Sequence, residues 1–272
     1  MTIVSFSELN TWQRCRKSYY YNYTLGFIPI EESPALRRGK MGHRMMQTYL
    51  ESRLAGVSHE EAKRTITKDL TREETEDPII IKTWGLVCKH VDTLDFSNVE
   101  SVYIEQVFKH PLVEAFDLWV GFTPDYGWLF KGGFLTLEDF KFIEKMWSEK
   151  KKSRYVQLDL YAGWMREMGE NVSQSILRFF NLTTGEITSK PYTPSSEKFK
   201  ILRREFTLAA IELQEFKSKT VAEQRELAFR TFDNNTCAFC RYSYPCNLEA
   251  NGKDASKTFL AEFTTNDYGY EQ

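Results

Sequence analysis

Two aspartates and a lysine lie close together near the middle of this 272-residue sequence. Asp125 ends the segment Gly121-Phe122-Thr123-Pro124-Asp125, and Asp139 follows 14 positions later in Asp139-Phe140-Lys141. Residues two apart in a strand share a face, so Asp139 and Lys141 should project together while Glu138 points the other way. Two aspartates on neighbouring strands could hold Mg²⁺ or Mn²⁺ through their oxygens, while the lysine orients a water or steadies a phosphate. That is the chemistry of phosphodiester hydrolysis.

The same residues also have a simpler explanation. An Asp-x-Lys pair in a strand is usually a solvated surface pair of little energetic weight. Here Leu135, Leu137, Phe140 and Phe142 indicate a buried strand. Ionised groups on a buried strand must be paired or bound to metal, which favours the functional interpretation.

His43 is a candidate third metal ligand, because a neutral imidazole binds Mn²⁺ and related divalent cations. It follows Gly39 and Gly42 on a helix predicted to begin near Ala35, on or beside the inward face. The glycines would allow the helix to approach a sheet or ligand closely. A satisfied core histidine is the alternative.

Side chains suited to a nucleic-acid strand follow the Asp-x-Lys segment. Gln157 and Tyr161 are four apart on a predicted helix, so they share a face and could supply a hydrogen bond and a stacking ring. Core packing is the alternative for this pair. The densest basic run of the chain lies just upstream, interleaved with Trp147 and Tyr155, and it is either a solvated face or a phosphate-binding surface. The basic residues predicted to contact DNA are Lys150, Lys151, Lys152 and Arg154.

The cysteine spacing indicates a metal site. Cys237-x-x-Cys240-x5-Cys246 supplies three ligands, and Cys15 is a better fourth than Cys88, which lies in a periodic apolar helix and resembles a small buried hydrophobe. Tetrahedral zinc and a [4Fe–4S] cluster both accept four cysteines, so the count does not identify the metal.

Composition is that of an ordinary soluble protein. The chain has 36 basic and 38 acidic side chains, a net charge of −2 and 42% hydrophobic residues. These values exclude a broadly polycationic nucleic-acid coat but permit a local basic cleft. No apolar run is long enough to span a membrane, and the N-terminus lacks the pattern of a secretory signal. We therefore expect a cytoplasmic protein without membrane contact.

Local patterns predict where helices and strands begin and end. Ser5 and Glu8 form a capping box, and Ser58 caps a later helix. Helices are predicted from Ser5, from Ala35, from Ser58, and over residues 79–94, 148–168 and 195–232, with Gly169 ending the fifth. Strands of one sheet are predicted at 102–108, 116–122 and 134–137, and the last of these follows a hairpin from Tyr126. A second hairpin is predicted from strands at 172–182 and 186–192.

We expect a single α/β nuclease domain with a central mixed sheet flanked by helices. Residues 1–95 would form a helical N-terminal region, 96–192 the catalytic sheet core, 193–248 the C-terminal helices with the cysteine loop, and 249–272 a tail.

The ordered set of motifs resembles the iron–sulfur branch of the PD-(D/E)XK nucleases, namely the RecB-like exonucleases, which include the AddB nuclease domain and the CRISPR-associated four-cysteine exonucleases. The resemblance covers nearly the whole chain. It rests on the Ser5-Phe6-Ser7-x-Leu9 opening followed by a cysteine, the Gly-x-x-x-His ending at His43, the Pro124-Asp125 pair, Asp139-x-Lys141, Gln157-x-x-x-Tyr161, and the C-terminal Cys-x2-Cys-x5-Cys. The chain departs from many relatives at Arg16, where they have proline, and at Phe142, where they have a small polar residue.

The resemblance implies a role for each motif. His43, Asp125, Asp139 and the Phe140 carbonyl would bind the catalytic Mg²⁺ or Mn²⁺, and Lys141 would assist the attacking water. Gln157 and Tyr161 would contact the DNA strand. The cysteines that would hold a [4Fe–4S] cluster are Cys15, Cys237, Cys240 and Cys246.

The expected function is a metal-dependent DNA exonuclease acting on single-stranded DNA or DNA ends in recombination or repair. No phosphate-binding helicase motif is present, so the nuclease would stand alone or join a recombination or replication partner protein. A compact enzyme of this kind would suit a phage or mobile element. The alternatives are a non-catalytic DNA-binding subunit that keeps the fold, and a zinc-stabilised adaptor.

Overall fold

The computed structural model describes residues 1–68, 70–153, 155–231 and 234–265. The chain divides into two compact units. We call the first the cysteine unit, comprising Met1–Glu32, Lys109–Gly121 and Arg204–Gln272, and the second the sheet unit, comprising Ser33–Phe108 and Phe122–Arg203. Each is described separately below.

Helices and strands occur in blocks along the chain. The helices are α1 (Phe6–Arg14), α2 (Arg16–Tyr19), which continues into a π-helical turn over Tyr20–Thr24, α3 (Pro34–Leu54), α4 (His59–Thr65), α5 (Arg72–Glu76), α6 (Pro78–Val91), α7 (Glu149–Ser153), α8 (Gln157–Glu167), α9 (Ser196–Lys217), α10 (Val221–Leu227), α11 (Asn234–Ala238), α12 (Ser243–Ala250) and α13 (Ser256–Glu262). The strands are β1 (Thr2–Ser5), β2 (Phe27–Pro29), β3 (Val99–Ile104), β4 (Phe108–Val113), β5 (Leu118–Phe122), β6 (Tyr126–Phe130), β7 (Phe134–Ile143), β8 (Val172–Asn181), β9 (Glu186–Tyr192) and β10 (Phe263–Thr265).

The sheet unit is built on five strands in the order β3-β6-β7-β8-β9. Strands β6 and β7 form an antiparallel hairpin, β7 and β8 are parallel, and β3 and β9 pair antiparallel at the two edges. A parallel pair needs a crossover connection, which here carries α7 and α8. The fold is therefore mixed α/β with a central mixed sheet flanked by helices, as predicted.

One face of this sheet is covered by α3 and α6. Met45, Tyr49 and Val87 from the helices form a buried cluster with Phe140 and Phe142 of the sheet. A Cβ on Gly42 would lie 2.2 Å from the Phe142 ring, so only glycine allows α3 to lie this close to β7. The predicted role of Gly42 is confirmed, whereas a Cβ on Gly39 would meet nothing within 4 Å.

The cysteine unit contains a three-stranded sheet in the order β1-β5-β4 and a two-stranded antiparallel pair of β2 and β10. Strand β1 runs parallel to β5, with Val4 opposite Val120. The predicted capping box of Ser5 and Glu8 starts α1 directly after β1. Hydrogen bonds join the early and late parts of the chain in this unit: Tyr21 donates to Glu249, and Tyr242 donates to the Phe27 carbonyl.

Several predicted boundaries were wrong. β5 was predicted to share a sheet with β3 and β7, but it pairs with β1, a short strand whose pairing depends on distant sequence. The predicted helix at 148–168 is divided between α7 and α8, and the one at 195–232 ends at Lys217 and resumes at Val221 because Thr220 caps α10. The predicted cysteine loop and tail contain α11, α12, α13 and β10. In the described part of the chain, none of the helices combines the length and apolar character needed to cross a membrane.

Candidate functional site

The two predicted aspartates meet at the start of the β6–β7 hairpin. Asp125 immediately precedes β6, and Tyr126 is paired with Glu138 in the sheet. The Phe140 backbone amide donates to Asp125 Oδ2 at 2.8 Å, so Asp125 is held against the strand that carries Asp139. The two aspartates lie close together as the sequence predicts, although Asp125 stands just before β6 and only Asp139 is within a strand.

Asp139 and Lys141 project from the same face of β7, as alternation requires. Asp139 is 1% exposed, and its Oδ2 lies 2.6 Å from Lys141 Nζ. Glu138 points the other way, where it accepts a hydrogen bond from Trp128 Nε1 at 2.9 Å and pairs with Arg178. Both carboxylates on this buried strand are therefore paired.

A carboxylate that the sequence analysis did not select, Glu105, completes the site. Glu105 follows β3 with a φ of 45°, a left-handed conformation uncommon outside glycine, and its amide donates to the Asp125 carbonyl at 3.0 Å. Such backbone strain is often found at functional sites. Glu105 lies inside the strand predicted at 102–108. The one sequence signal that could have identified it is its position directly after the apolar residues 102–104.

His43, Glu105 and Asp125 converge on one point. Their candidate ligand atoms all lie within 4.8 Å of one another. Among the described residues, this is the only group of three or more histidine, cysteine, aspartate or glutamate ligands that lie this close together. His43 Nδ1 lies 3.3 Å from Glu105 Oε1 and 3.6 Å from Asp125 Oδ2, and it is buried without a well-aligned hydrogen bond. Asp139 adjoins this group but is not within it.

The electrostatics of this group fit a divalent cation. Burial and the nearby Asp139 carboxylate raise the pKa of Asp125 to about 7, against the opposing charges of His43 and Lys141. Burial would lower the pKa of His43, but the carboxylates of Glu105 and Asp125 raise it. A cation would relieve the repulsion between the buried carboxylates, and imidazole and carboxylate oxygens are suitable ligands for Mn²⁺ or Mg²⁺. The residues present therefore fit the divalent metal that the sequence analysis predicted.

Gln157 and Tyr161 lie on α8 and contact each other, with the Gln157 carboxamide nitrogen 3.1 Å from the Tyr161 hydroxyl. Tyr161 is only 4% exposed, and its ring packs on Phe122 with centroids 5.2 Å apart. Tyr155, which sequence analysis noted only as an aromatic in the basic run, donates its hydroxyl to Asp139 Oδ1 at 2.7 Å. The predicted DNA contacts of Gln157 and Tyr161 remain predictions.

The basic run before α8 has its own internal partners. Lys151 Nζ lies 4.0 Å from the centroid of the Trp147 ring, and Lys152 pairs with Glu149 at 2.7 Å. The Lys150 side chain and the whole of Arg154 lie outside the described residues. Contact of this run with DNA also remains a prediction.

The cysteine unit brings together the four cysteines singled out by spacing. Cys15 joins α1 to α2, Cys237 is on α11, Cys240 follows it, and Cys246 is on α12. All four line a cavity of about 170 Å³. Cys88 lies on α6 of the sheet unit, where burial raises the pKa of its thiol.

The charged residues around this cavity are basic. Arg14, Arg230 and Arg241 contribute to its lining, and the lining contains no aspartate or glutamate among the described residues. Four thiolates around a metal centre carry net negative charge, which nearby guanidinium groups would offset.

The fold is α/β, and its sheet unit brings together five charged or metal-binding side chains: His43, Glu105, Asp125, Asp139 and Lys141. The chain belongs to the PD-(D/E)XK nuclease superfamily, whose family model matches residues 3–247. The predicted superfamily is therefore confirmed, while its iron–sulfur subtype remains a prediction.

Solved structures show a similar fold. The crystal structure of a candidate exonuclease from Eubacterium rectale is 14% identical, with a TM-score of 0.51 over 88% of this chain and 86% of that one. The crystal structure of SSO0001 is 12% identical and covers 88% of this chain and 93% of that one, but its TM-score of 0.36 is too low to support an argument. The search of curated proteins found no match to this chain.

Proposed function

We propose that this nuclease is a divalent-metal-dependent DNA exonuclease acting on single-stranded DNA or DNA ends. The observation that carries the proposal is the convergence of His43, Glu105 and Asp125 beside the paired Asp139 and Lys141. The similarity to the Eubacterium rectale protein favours the exonuclease class. We further propose a cytoplasmic role in DNA recombination or repair, alone or with a partner protein.

His43, Glu105 and Asp125 would hold a Mg²⁺ or Mn²⁺ ion, with Asp139 and the Phe140 carbonyl as further ligands. When bound, such an ion supplies positive charge to the scissile phosphate and favours deprotonation of a water. The Phe140 amide donates a hydrogen bond that keeps the Asp125 carboxylate beside His43. The left-handed backbone at Glu105 brings the Glu105 carboxylate to the same point.

Lys141 contributes a fixed positive charge. Burial would lower its pKa, but the carboxylates of Asp139 and Asp125 raise it. The Lys141 ammonium can orient the attacking water and stabilise the charge that develops on the phosphate oxygens in the transition state.

We propose that the four cysteines hold a [4Fe–4S] cluster and not a zinc ion. Zinc with Zn–S bonds of about 2.3 Å would hold four sulfurs about 3.8 Å apart. No three of these cysteine sulfurs lie within 4.8 Å of one another in the described chain, and the cavity they line measures about 170 Å³. A water occupies about 30 Å³ in the liquid, so this space suits a multi-atom cluster better than one ion.

The exonuclease proposal is tested with end-labelled linear DNA and closed circular single-stranded DNA. Protein purified without oxygen should degrade linear substrates with Mn²⁺ or Mg²⁺, leave circles intact, and stop when EDTA is added. Linear DNA that survives with both metals would contradict nuclease activity. Circles cut as fast as linear strands would contradict the exonuclease assignment.

A second experiment tests Glu105. Glu105→Gln should weaken Mn²⁺ binding about tenfold or more and slow cleavage, because it removes a charged ligand while preserving side-chain size. Glu100→Gln is the matched control, since Glu100 is exposed on β3, the strand that Glu105 follows. Equal effects of the two substitutions would remove Glu105 from the site.

A further inference from the structure

A hydrogen-bonded chain of side chains reaches Asp139 from outside the proposed metal ligands. Tyr155, just before α8, donates its hydroxyl to Asp139 Oδ1 at 2.7 Å. The other oxygen, Oδ2, forms an ion pair with Lys141 at 2.6 Å but does not have the geometry of a hydrogen bond. The Tyr155 hydroxyl therefore supplies the directional contact that orients this buried carboxylate.

The Tyr155 ring also contacts Lys141. Lys141 Nζ lies 5.2 Å from the ring centroid, within the range of a cation–π interaction. Tyr155 thus touches both members of the Asp139–Lys141 pair, the first through its hydroxyl and the second through its ring.

Gln157 extends the chain to α8. Its Oε1 lies 2.7 Å from the Tyr155 hydroxyl, and its Nε2 lies 3.1 Å from the Tyr161 hydroxyl. Tyr155 has one proton for two oxygens, Asp139 Oδ1 and Gln157 Oε1. Turning the Gln157 carboxamide over resolves this conflict, because Nε2 then donates to Tyr155 and Oε1 accepts from Tyr161. The Tyr161 hydroxyl in turn receives a hydrogen bond from the Thr123 backbone.

We propose that Tyr155 is a positioning residue that holds Asp139 in the orientation needed for metal binding, and that Gln157 and Tyr161 support it in one directional chain from the Thr123 amide. The inference rests on the proposed metal-dependent function. It gives Gln157 and Tyr161 a role in the site that does not require them to touch DNA.

The energetic expectation follows from how supporting hydrogen bonds act on metal ligands. Loss of a partner to a ligating group typically weakens metal binding 10- to 100-fold. Tyr155→Phe removes only the hydroxyl and retains the ring over Lys141. We expect it to weaken Mn²⁺ binding about tenfold.

The test is a calorimetric titration of Mn²⁺ into the whole protein without DNA. Tyr49→Phe is the matched control, because it removes a hydroxyl in the same unit that is bonded to His59 and not to Asp139. Wild type and Tyr49→Phe should bind alike, and Tyr155→Phe about tenfold more weakly. In cleavage assays the half-saturating Mn²⁺ should rise by the same factor, with the KM for DNA unchanged.

Gln157→Leu provides a second, independent variant should Tyr155→Phe fail to fold by circular dichroism. It should weaken Mn²⁺ binding several-fold, and combining it with Tyr155→Phe should add little, since both act through one chain. Unchanged Mn²⁺ binding in the folded variants, or a higher KM for DNA instead, would overturn the inference and leave the proposed function standing. A wild-type protein that binds no Mn²⁺ would overturn both.

Discussion

His90 should make the sheet unit sensitive to acid. This residue lies on α6, is 2% exposed, and packs edge-on against Phe140 and Phe180 with ring centroids 5.6 and 5.4 Å apart. Its Nε2 has no hydrogen-bond partner in the described chain. Burial, reinforced by the Arg178 charge, lowers the pKa of His90 to about 3.

The sign and size of the effect follow from the two pKa values. The unfolded chain takes up a proton at His90 below its ordinary pKa of 6.5, whereas the folded chain does not until near 3. The folded state is therefore not destabilised by His90 above pH 6.5, and its free energy of unfolding decreases as the pH falls from 6.5 toward 3. At pH 5, about 1.5 pH units below the unfolded value, the loss is about 2 kcal/mol.

Urea unfolding of wild type and His90→Leu at pH 7.5 and pH 5 measures this contribution. Other titrating groups are common to the two proteins and cancel in the comparison. Between the two pH values, the free energy of unfolding of the wild type should fall by about 2 kcal/mol more than that of the variant. A difference below about 0.5 kcal/mol, the usual error of additivity, would refute a buried neutral His90.

Three further substitutions test other parts of the molecule. Gly42→Ala should lower stability by about 1–3 kcal/mol in thermal melts, because its methyl group would lie 2.2 Å from a ring, while Gly39→Ala, with open space, should not lower it. Cys15→Ala should bleach the brown colour expected of a [4Fe–4S] cluster and reduce the soluble yield, as should replacement of any other predicted cluster ligand. Cys88→Ala, the control, should do neither. Loss of iron in Cys88→Ala together with its retention in Cys15→Ala would overturn the ligand set. Lys141→Ala should slow single-turnover cleavage far more than it weakens DNA binding by fluorescence anisotropy, and a loss of affinity alone would make Lys141 a phosphate-steering residue.

Local patterns were enough to predict much of the sheet unit and its site. Alternation along β7 placed Asp139 and Lys141 together, because neighbouring side chains in a strand must face opposite ways. Helical spacing placed His43 on or beside the inward face of its helix, next to Gly42, which lies against Phe142. The Cys-x-x-Cys spacing selected cysteines that share one cavity.

Features that depend on distant pairing or unusual backbone were missed. Glu105 reaches the site because its backbone turns left-handed where β3 meets the Asp125 segment, and no local pattern marks that turn. Tyr155 was grouped with the basic run because its contact with Asp139 depends on how the crossover returns over β7. The β1–β5 pairing joins segments more than a hundred residues apart, so β5 was assigned to the wrong sheet.

The central claim is that the Asp139 carboxylate serves metal-dependent DNA cleavage. It is tested most directly by single-turnover cleavage of end-labelled single-stranded DNA with saturating Mn²⁺, comparing wild type with Asp139→Asn. The amide preserves the shape of the side chain but removes the charge that faces Lys141 and the metal group. We predict that the variant stays folded and that its rate falls by about a thousandfold or more, equivalent to about 4 kcal/mol of transition-state stabilisation. A folded variant that cleaves within about tenfold of wild type would contradict the account.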